Sequence, residues 1–303
     1  MRQPKKLKLA YPAPSPPITI NAVTGFIDAV TGYAAAGNLF KCYRGQRNAA
    51  WDNIPALFRP DLSGLEGHEK RAVRDLISIH PNEFAADQTM FDKLVRMQHF
   101  GLPTRLMDVS LNPLVALWFA TDPGPDGDAS DGVVTGFAIP PEREKYFDSV
   151  SVSCLANLAN MTKSEKARIV ELRSLRTAGA SKKDEIDRMN GDEVILRLHQ
   201  FIKVEKPHFL PIIDPIDLFK PYYVHPKMSN RRILSQAGGF IIHGLRPPKT
   251  IRYAQRIEET RFLIPVSAKA GLRSTLEQLG ISESTLFPEL DRAAKRIERT
   301  YAN

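Results

Sequence analysis

The chain has 303 residues, 43% hydrophobic and 25% charged, which is ordinary for a folded globular protein and too apolar for wholesale disorder. Its formal net charge is +8, and four of those charges, Arg2, Lys5, Lys6 and Lys8, stand in the first ten residues with no acid beside them. The two cysteines, Cys42 and Cys154, form no CxxC pair, which argues against a disulfide framework or a zinc site, and no apolar run approaches the ~20 residues that span a bilayer.

The basic start has no apolar h-region and runs into Pro12, Pro14, Pro16 and Pro17. Residues 1–17 therefore read as a flexible, polyproline-like arm, not a secretory signal, and the chain as cytoplasmic. Structure is expected from Ile18. Asn21 is placed to cap a helix that carries Val23, Phe26, Ile27, Val30, Tyr33 and Ala34 at helical spacing, with Gly37-Asn38 ending it. Leu39 to Gln46 reads as a strand running into a loop. The pattern predicts a helix over 69–80, stopped before Pro81, and another over 83–99 with Phe84, Met90, Phe91, Leu94, Val95 and Met97 as apolar contacts.

Thr104 to Ser110 reads as a buried strand. Asn112-Pro113 then supplies a helix cap and a proline at the first helical position. Leu114, Val115, Leu117, Trp118 and Phe119 make that helix apolar on most sides, so it should be central. Residues 122–132 form a Gly/Asp/Pro loop, followed by a short strand over 132–140. Residues 141–205 are charged and mostly helical in pattern, with a soft spot at Gly179-Ala-Ser-Lys-Lys. Strands are expected at 219–224, 239–243 and 262–266, and helices after Ser267 and over 291–301. Helices that precede and interrupt several short strands indicate an α+β fold over a doubly wound sheet. With no internal repeat and no dividing linker, residues 18–303 read as one domain with a helical insertion at about 141–205.

Three blocks stand out. The first is Phe40-Lys-Cys-Tyr-Arg-Gly-Gln, then Trp51, then Pro55-Ala-Leu-Phe-Arg. The second is Gln98-His-Phe-Gly-Leu-Pro-Thr-Arg-Leu-Met-Asp-Val-Ser-Leu-Asn-Pro-Leu-Val-Ala-Leu-Trp-Phe-Ala, and the third is Asn230-Arg-Arg-Ile-Leu-Ser-Gln-Ala-Gly-Gly-Phe. Together they resemble the FRG-domain family, from about residue 39 to 292. Tyr43 replaces the phenylalanine of that family's Phe-Arg-Gly-Gln, and Val109-Ser110 stand where a Trp-Thr pair is common. FRG domains are in turn distantly similar to ADP-ribosyltransferases. Tyr43-Arg44-Gly45 matches the aromatic-Arg-Gly strand end of such enzymes, and Thr104 and Ser110 loosely match their small hydroxyl residues. Where their late strand carries a glutamate, this chain has Gln236.

That resemblance implies a mixed, largely antiparallel sheet core with surrounding helices. It also implies NAD as substrate, no metal, and a macromolecular acceptor, with nucleic acid slightly favoured over protein by the basic arm. A bacterial toxin or antiviral-defence effector would suit such chemistry, with an antitoxin or regulator as partner. Cleaving the nicotinamide–ribose bond builds positive charge on the sugar, so the protein must grip the pyrophosphate, fix the ribose and exclude water. Arg44 is the phosphate-binding candidate. Gly45 permits close backbone approach, Gln46 is placed to contact nicotinamide or ribose, and Tyr43 to stack on a ring. Gln236 can orient the ribose but supplies no charge. Asp108 is favoured over Glu259 as a carboxylate. His99, Thr104, Arg105 and Ser110 complete the candidate set.

Structural readings stand beside these. Arg44 could pair with Asp108, and Arg105 could serve a salt bridge elsewhere. Three apart on a strand, Arg105 and Asp108 point to opposite faces and do not pair with each other. Thr104 and Ser110 fit plain strand and capping roles, and Gln236-Ala-Gly-Gly a bulge. His99 fits a helix end. Trp51, Phe58, Trp118, Phe119 and Phe240 are expected in the core. Seven histidines form no HxxxH or HExxH pair, and GxGxxG, GxxxxGK[ST] and GxSxG are all absent. A non-catalytic nucleotide- or partner-binding module on the same fold is the main alternative. A metal-dependent nuclease is a weaker one, since no ligand cluster can be assembled.

Overall fold

The computed structural model describes residues 16–35, 37, 39–124, 127, 130–175, 181–228, 230–246 and 257–288. The helix predicted over 291–301, residues 1–15 of the basic arm and Gly179-Ala180 lie outside the described residues. Among the described residues the strands are β1 (Ile18–Thr19), β2 (Phe40–Gln46), β3 (Leu106–Ser110), β4 (Gly132–Ile139), β5 (Glu144–Tyr146), β6 (Tyr222–His225), β7 (Gly238–Ile242) and β8 (Glu258–Ile264). The helices are α1 (Val23–Ala35), α2 (Ser63–Gly67), α3 (Glu69–Ile79), α4 (Met90–His99), α5 (Pro113–Ala120) and α6 (Val150–Asn157). They continue with α7 (Lys163–Ser174), α8 (Lys182–Asn190), α9 (Glu193–Glu205), α10 (Arg231–Ser235), α11 (Val266–Gln278) and α12 (Glu283–Leu286).

The strands form one sheet in the order β1-β8-β4-β2-β3-β7-β6-β5. The β1–β8 and β5–β6 pairs are parallel and the others antiparallel, so the fold is α+β with a mixed, largely antiparallel sheet. β2 pairs with β4 along its whole length, from Phe40↔Ile139 to Gln46↔Val133. Toward β3 it makes one pair only, Tyr43↔Ser110, while β3 pairs with β7 throughout. The sheet therefore forks between β2 and β3.

Helices α1, α5 and α11 pack with Tyr43, Val134 and Phe262 in one cluster, and α4, α6 and α9 with Leu106, Phe240 and Ile242 in a second. Strand alternation puts both on the same face of the sheet. Cys42, Met107, Val109, Phe137 and Ile241 form a third cluster on the opposite face. The close seat of α5 on β2 depends on Gly45, where a Cβ would stand 1.8 Å from the Ala116 carbonyl oxygen. α5 starts as its sequence predicts, with Asn112 Oδ1 accepting from Leu114 N at 2.9 Å and Pro113 at its first position.

Two expectations need correction. The helix predicted over 83–99 begins only at Met90, because a Thr89–Asp92 capping box sets its start and Pro81–Phe84 form a separate 3-10 turn. Trp51 is 39% exposed and lies outside the core; Arg47 and Arg59 face its ring at 5.2 and 5.6 Å. Phe58, Trp118 and Phe240 are buried as expected.

Candidate functional site

Arg44 leaves β2 just past the single β2–β3 pair, where the strands part. Its Nη1 donates to the main-chain carbonyl of Asp108 at 2.6 Å, not to the carboxylate, and its buried Nε has no partner. Burial lowers the guanidinium's pKa and the nearby Arg59 adds to this, against the Asp108 carboxylate; arginine stays charged regardless.

Asp108 shares the α4 face of β3, and its side chain is exposed. Its Oδ2 accepts from Gln98 Nε2 at 2.7 Å. Gln98 Oε1 in turn accepts from the Thr104 hydroxyl at 2.5 Å, and Thr104 Oγ1 accepts from Leu106 N at 3.1 Å. This relay fixes which end of the Gln98 amide faces Asp108. Thr104 thus acts one step behind the carboxylate.

The end of β3 also holds the third element. The Ser110 hydroxyl donates to the Gln236 carbonyl at 2.6 Å, and Leu111 N donates to the Ala237 carbonyl at 2.8 Å. Ala237 has φ 44°, a left-handed conformation that alanine rarely adopts, and it turns the chain from α10 into β7. Gln236 Nε2 donates to the Leu286 carbonyl at 3.0 Å. Asn230 caps α10, with Oδ1 accepting from Arg232 N at 2.8 Å, while its Nδ2 lies 3.4 Å from His99 Nδ1.

These elements enclose a cleft of three adjoining spaces. The inner one, about 160 Å³, is lined by Tyr43, Arg44, Gly45, Asp108, Ser110 and Gln236 among others. A throat of about 60 Å³ shares Asp108, Val109, Arg232 and Gln236 with it, and Val95, His99, Asn230 and Ile233 with an outer basin of about 870 Å³. Two ion pairs flank the basin, Arg96–Asp87 at 2.6 Å and Lys227–Asp92 at 2.9 Å.

Six of the ten candidates thus meet at the inner space and His99 joins at the throat. Three do not line the cleft. Gln46 is buried and its Nε2 donates to the Asp52 carbonyl at 3.3 Å. Thr104 works through Gln98. Arg105 is 1% exposed, with its guanidinium committed to Glu69. Glu259 accepts from Asn53 Nδ2 at 3.0 Å and lies apart from the cleft lining. Gln98, Asn230 and Arg232 were missed as functional candidates. The available signal for Gln98 was its place at the head of the dense block that runs from Gln98 to Ala120, beside His99.

Residues 41–128 match the FRG domain. The FRG match covers less than half of the chain, and it supports the FRG-domain family over the stretch from β2 through α5. Arg44, Gln98, Thr104, Asp108 and Ser110 lie within this FRG stretch, whereas Gln236 lies beyond it. No curated protein and no solved structure matches the chain. Among the described residues, no group of three or more His, Cys, Asp or Glu side chains could hold a metal ion, and no helix is long and apolar enough to cross a membrane.

Proposed function

We propose that the protein is an ADP-ribosyltransferase-like enzyme of the cytoplasm that uses NAD to modify a macromolecule, with nucleic acid slightly favoured over protein as acceptor. The observation that carries this reading is the convergence of Arg44, Asp108 and Gln236 on one cavity at the fork of the sheet. An orphaned buried donor, Arg44 Nε, points to a missing acceptor there. Ligand sites usually hold ~300–1,000 Å³, so a dinucleotide needs the basin as well as the inner space.

In this reading the bond between nicotinamide and ribose breaks with its electron pair leaving on nicotinamide. Asp108, held by Gln98, stabilises the positive charge that develops on the sugar. The acceptor's nucleophile then bonds to the same carbon, and its proton passes to the carboxylate or to water. Arg44 grips a phosphate oxygen and Gln236 orients the ribose. A toxin or antiviral effector held in check by an antitoxin fits this chemistry.

A second reading, a non-catalytic nucleotide-binding module, is favoured by Gln236 itself. It puts a neutral amide where the resemblance calls for a glutamate, and that amide is already tied to Leu286. Nicotinamide release from NAD, measured with and without total RNA, DNA or protein, separates the two. Release lost in a folded Arg44→Ala variant supports the enzyme. Saturable NAD binding with no release under any addition supports the module.

A further inference from the structure

A second polar centre shares no lining residue with the cleft. Arg105 directs its fork at one carboxylate: Nε reaches Glu69 Oε1 at 2.9 Å and Nη2 reaches Oε2 at 2.5 Å. Its Nη1 donates to the main-chain carbonyls of His243 and Gly244 at 3.1 and 3.4 Å. Lys166 Nζ bonds the same Glu69 Oε2. Glu69 is only 4% exposed and the Lys166 side chain 14%, so one buried carboxylate serves two cations. Glu66, the other carboxylate of this region, pairs with Arg246 at 3.1 Å, and the same Arg246 Nη2 donates to the Phe58 carbonyl.

A cavity of about 350 Å³ opens on this cluster. Its charged lining is four cations (Arg105, Lys163, Lys166, Arg246) against two carboxylates (Glu66, Glu69). Lys163 has no ion-pair partner among the described residues, and it stands one helical turn before Lys166 on α7. The rest of the wall is largely apolar, with Phe58, Val170 and Leu245. The surplus of positive charge is felt locally. Burial, then Arg105 and Arg44, drive the proton from His243, and burial together with Arg105 lowers the Lys166 pKa despite its bond to Glu69. Net charge of one sign in a partly closed site is costly without a counter-ion.

We propose that this cavity binds a small phosphomonoester, its phosphate held by Lys163, Lys166 and Arg246 and its organic part against the apolar wall. A phosphomonoester carries a charge of about −1.5 to −2 at neutral pH, which matches the surplus of two cations. The volume exceeds what a bare phosphate fills and falls within the usual range for small ligands, ~300–1,000 Å³. The site does not depend on the chemistry assigned to the cleft.

Calorimetric titration of the full chain with ribose 5-phosphate, inorganic phosphate and ribose tests the proposal, with sodium chloride matching ionic strength. Thermal shifts in the same ligands give a second readout. Ribose 5-phosphate should bind saturably and more tightly than inorganic phosphate, and ribose should not bind. Lys163→Ala, at an exposed position, should fold normally and weaken binding about tenfold, the worth of one charge-assisted contact. Lys163→Glu should abolish it. Absence of saturable binding by either phosphate ligand beyond the chloride control overturns the proposal, as does unchanged affinity in a folded Lys163→Glu variant.

Discussion

The Arg44 guanidinium holds the main-chain carbonyl of Asp108, not its carboxylate, and does so across the gap where β2 and β3 part. Alternation sends the two side chains to opposite faces, with Arg44 on the Cys42 face and Asp108 on the α4 face. The fork is what lets both line one cavity. Replacing Arg44 by lysine keeps a charge but loses the planar fork, and the Asp108 carbonyl loses its charge-assisted donor. Arg44→Lys should cost about 1–3 kcal/mol of stability in urea unfolding. In the enzyme reading it should also lose NAD binding, so retained tight binding would remove Arg44 from the site.

Thr104 should behave as a positioning residue. Thr104→Val keeps the shape but removes the donor to Gln98 Oε1, so the Gln98 amide is held at its Asp108 end alone. The expected loss of stability is about 1–3 kcal/mol, because the variant loses the bond to Gln98 and also leaves Leu106 N without its Thr104 acceptor. Because Thr104 touches no ligand in the enzyme reading, nicotinamide release should slow with little change in KM. Thr104→Ser should restore it. A variant whose KM rises while kcat holds would contradict this role.

Two glycines should respond in opposite ways to alanine. Gly45→Ala drives a methyl into the Ala116 carbonyl and must lift α5 off β2; overpacking of this kind costs about 1–3 kcal/mol or more. Gly25, inside α1, has open space where its Cβ would stand, and Gly25→Ala should stabilise by about 0.5–1 kcal/mol. Urea midpoints of the two variants, measured together, check both signs.

Acid should weaken the fold in two windows. His243 is depressed to about 4 by burial and by Arg105 and Arg44. The unfolded chain therefore takes up that proton first, and stability falls as pH drops from about 6.5 toward 4. Burial alone would raise the Glu69 pKa, but Arg105 and Lys166 outweigh it and hold it below the ordinary value. Its contribution is intact above the ordinary carboxylate pKa and drains away as pH falls through and below it. His243→Phe should flatten the upper window alone. Glu69→Gln should cost about 3–5 kcal/mol at neutral pH and flatten the lower one. An upper window unchanged in His243→Phe would refute the assignment.

What was legible in the sequence was local. Asn112-Pro113 announced α5, and the mostly apolar run over 132–139 announced β4, every residue of which is buried. Where two signals competed, the weaker-looking one won: Phe84 sits at helical spacing from Phe91, seven residues on, yet the Thr89 cap starts the helix. Long-range partners were not legible. Nothing near Arg105 names Glu69, and nothing near Trp51 says that two arginines will cover it on the surface. Tyr43, Arg44, Asp108 and Gln236 were readable as candidates because their motifs are dense. Their meeting depends on a register that stops pairing after one residue, which no local pattern encodes.

The strand order also bears on synthesis. The outer edge of β4 is covered by β8, and β8 receives β1 on its far side, so residues 18–19 and 132–139 both wait for residues 258–264. A nascent chain growing from its amino end carries β4, mostly apolar, for more than a hundred residues with one edge bare. Such an edge invites pairing with another chain, so ribosome-associated chaperones should decide the yield of this protein more than the stability of its finished fold.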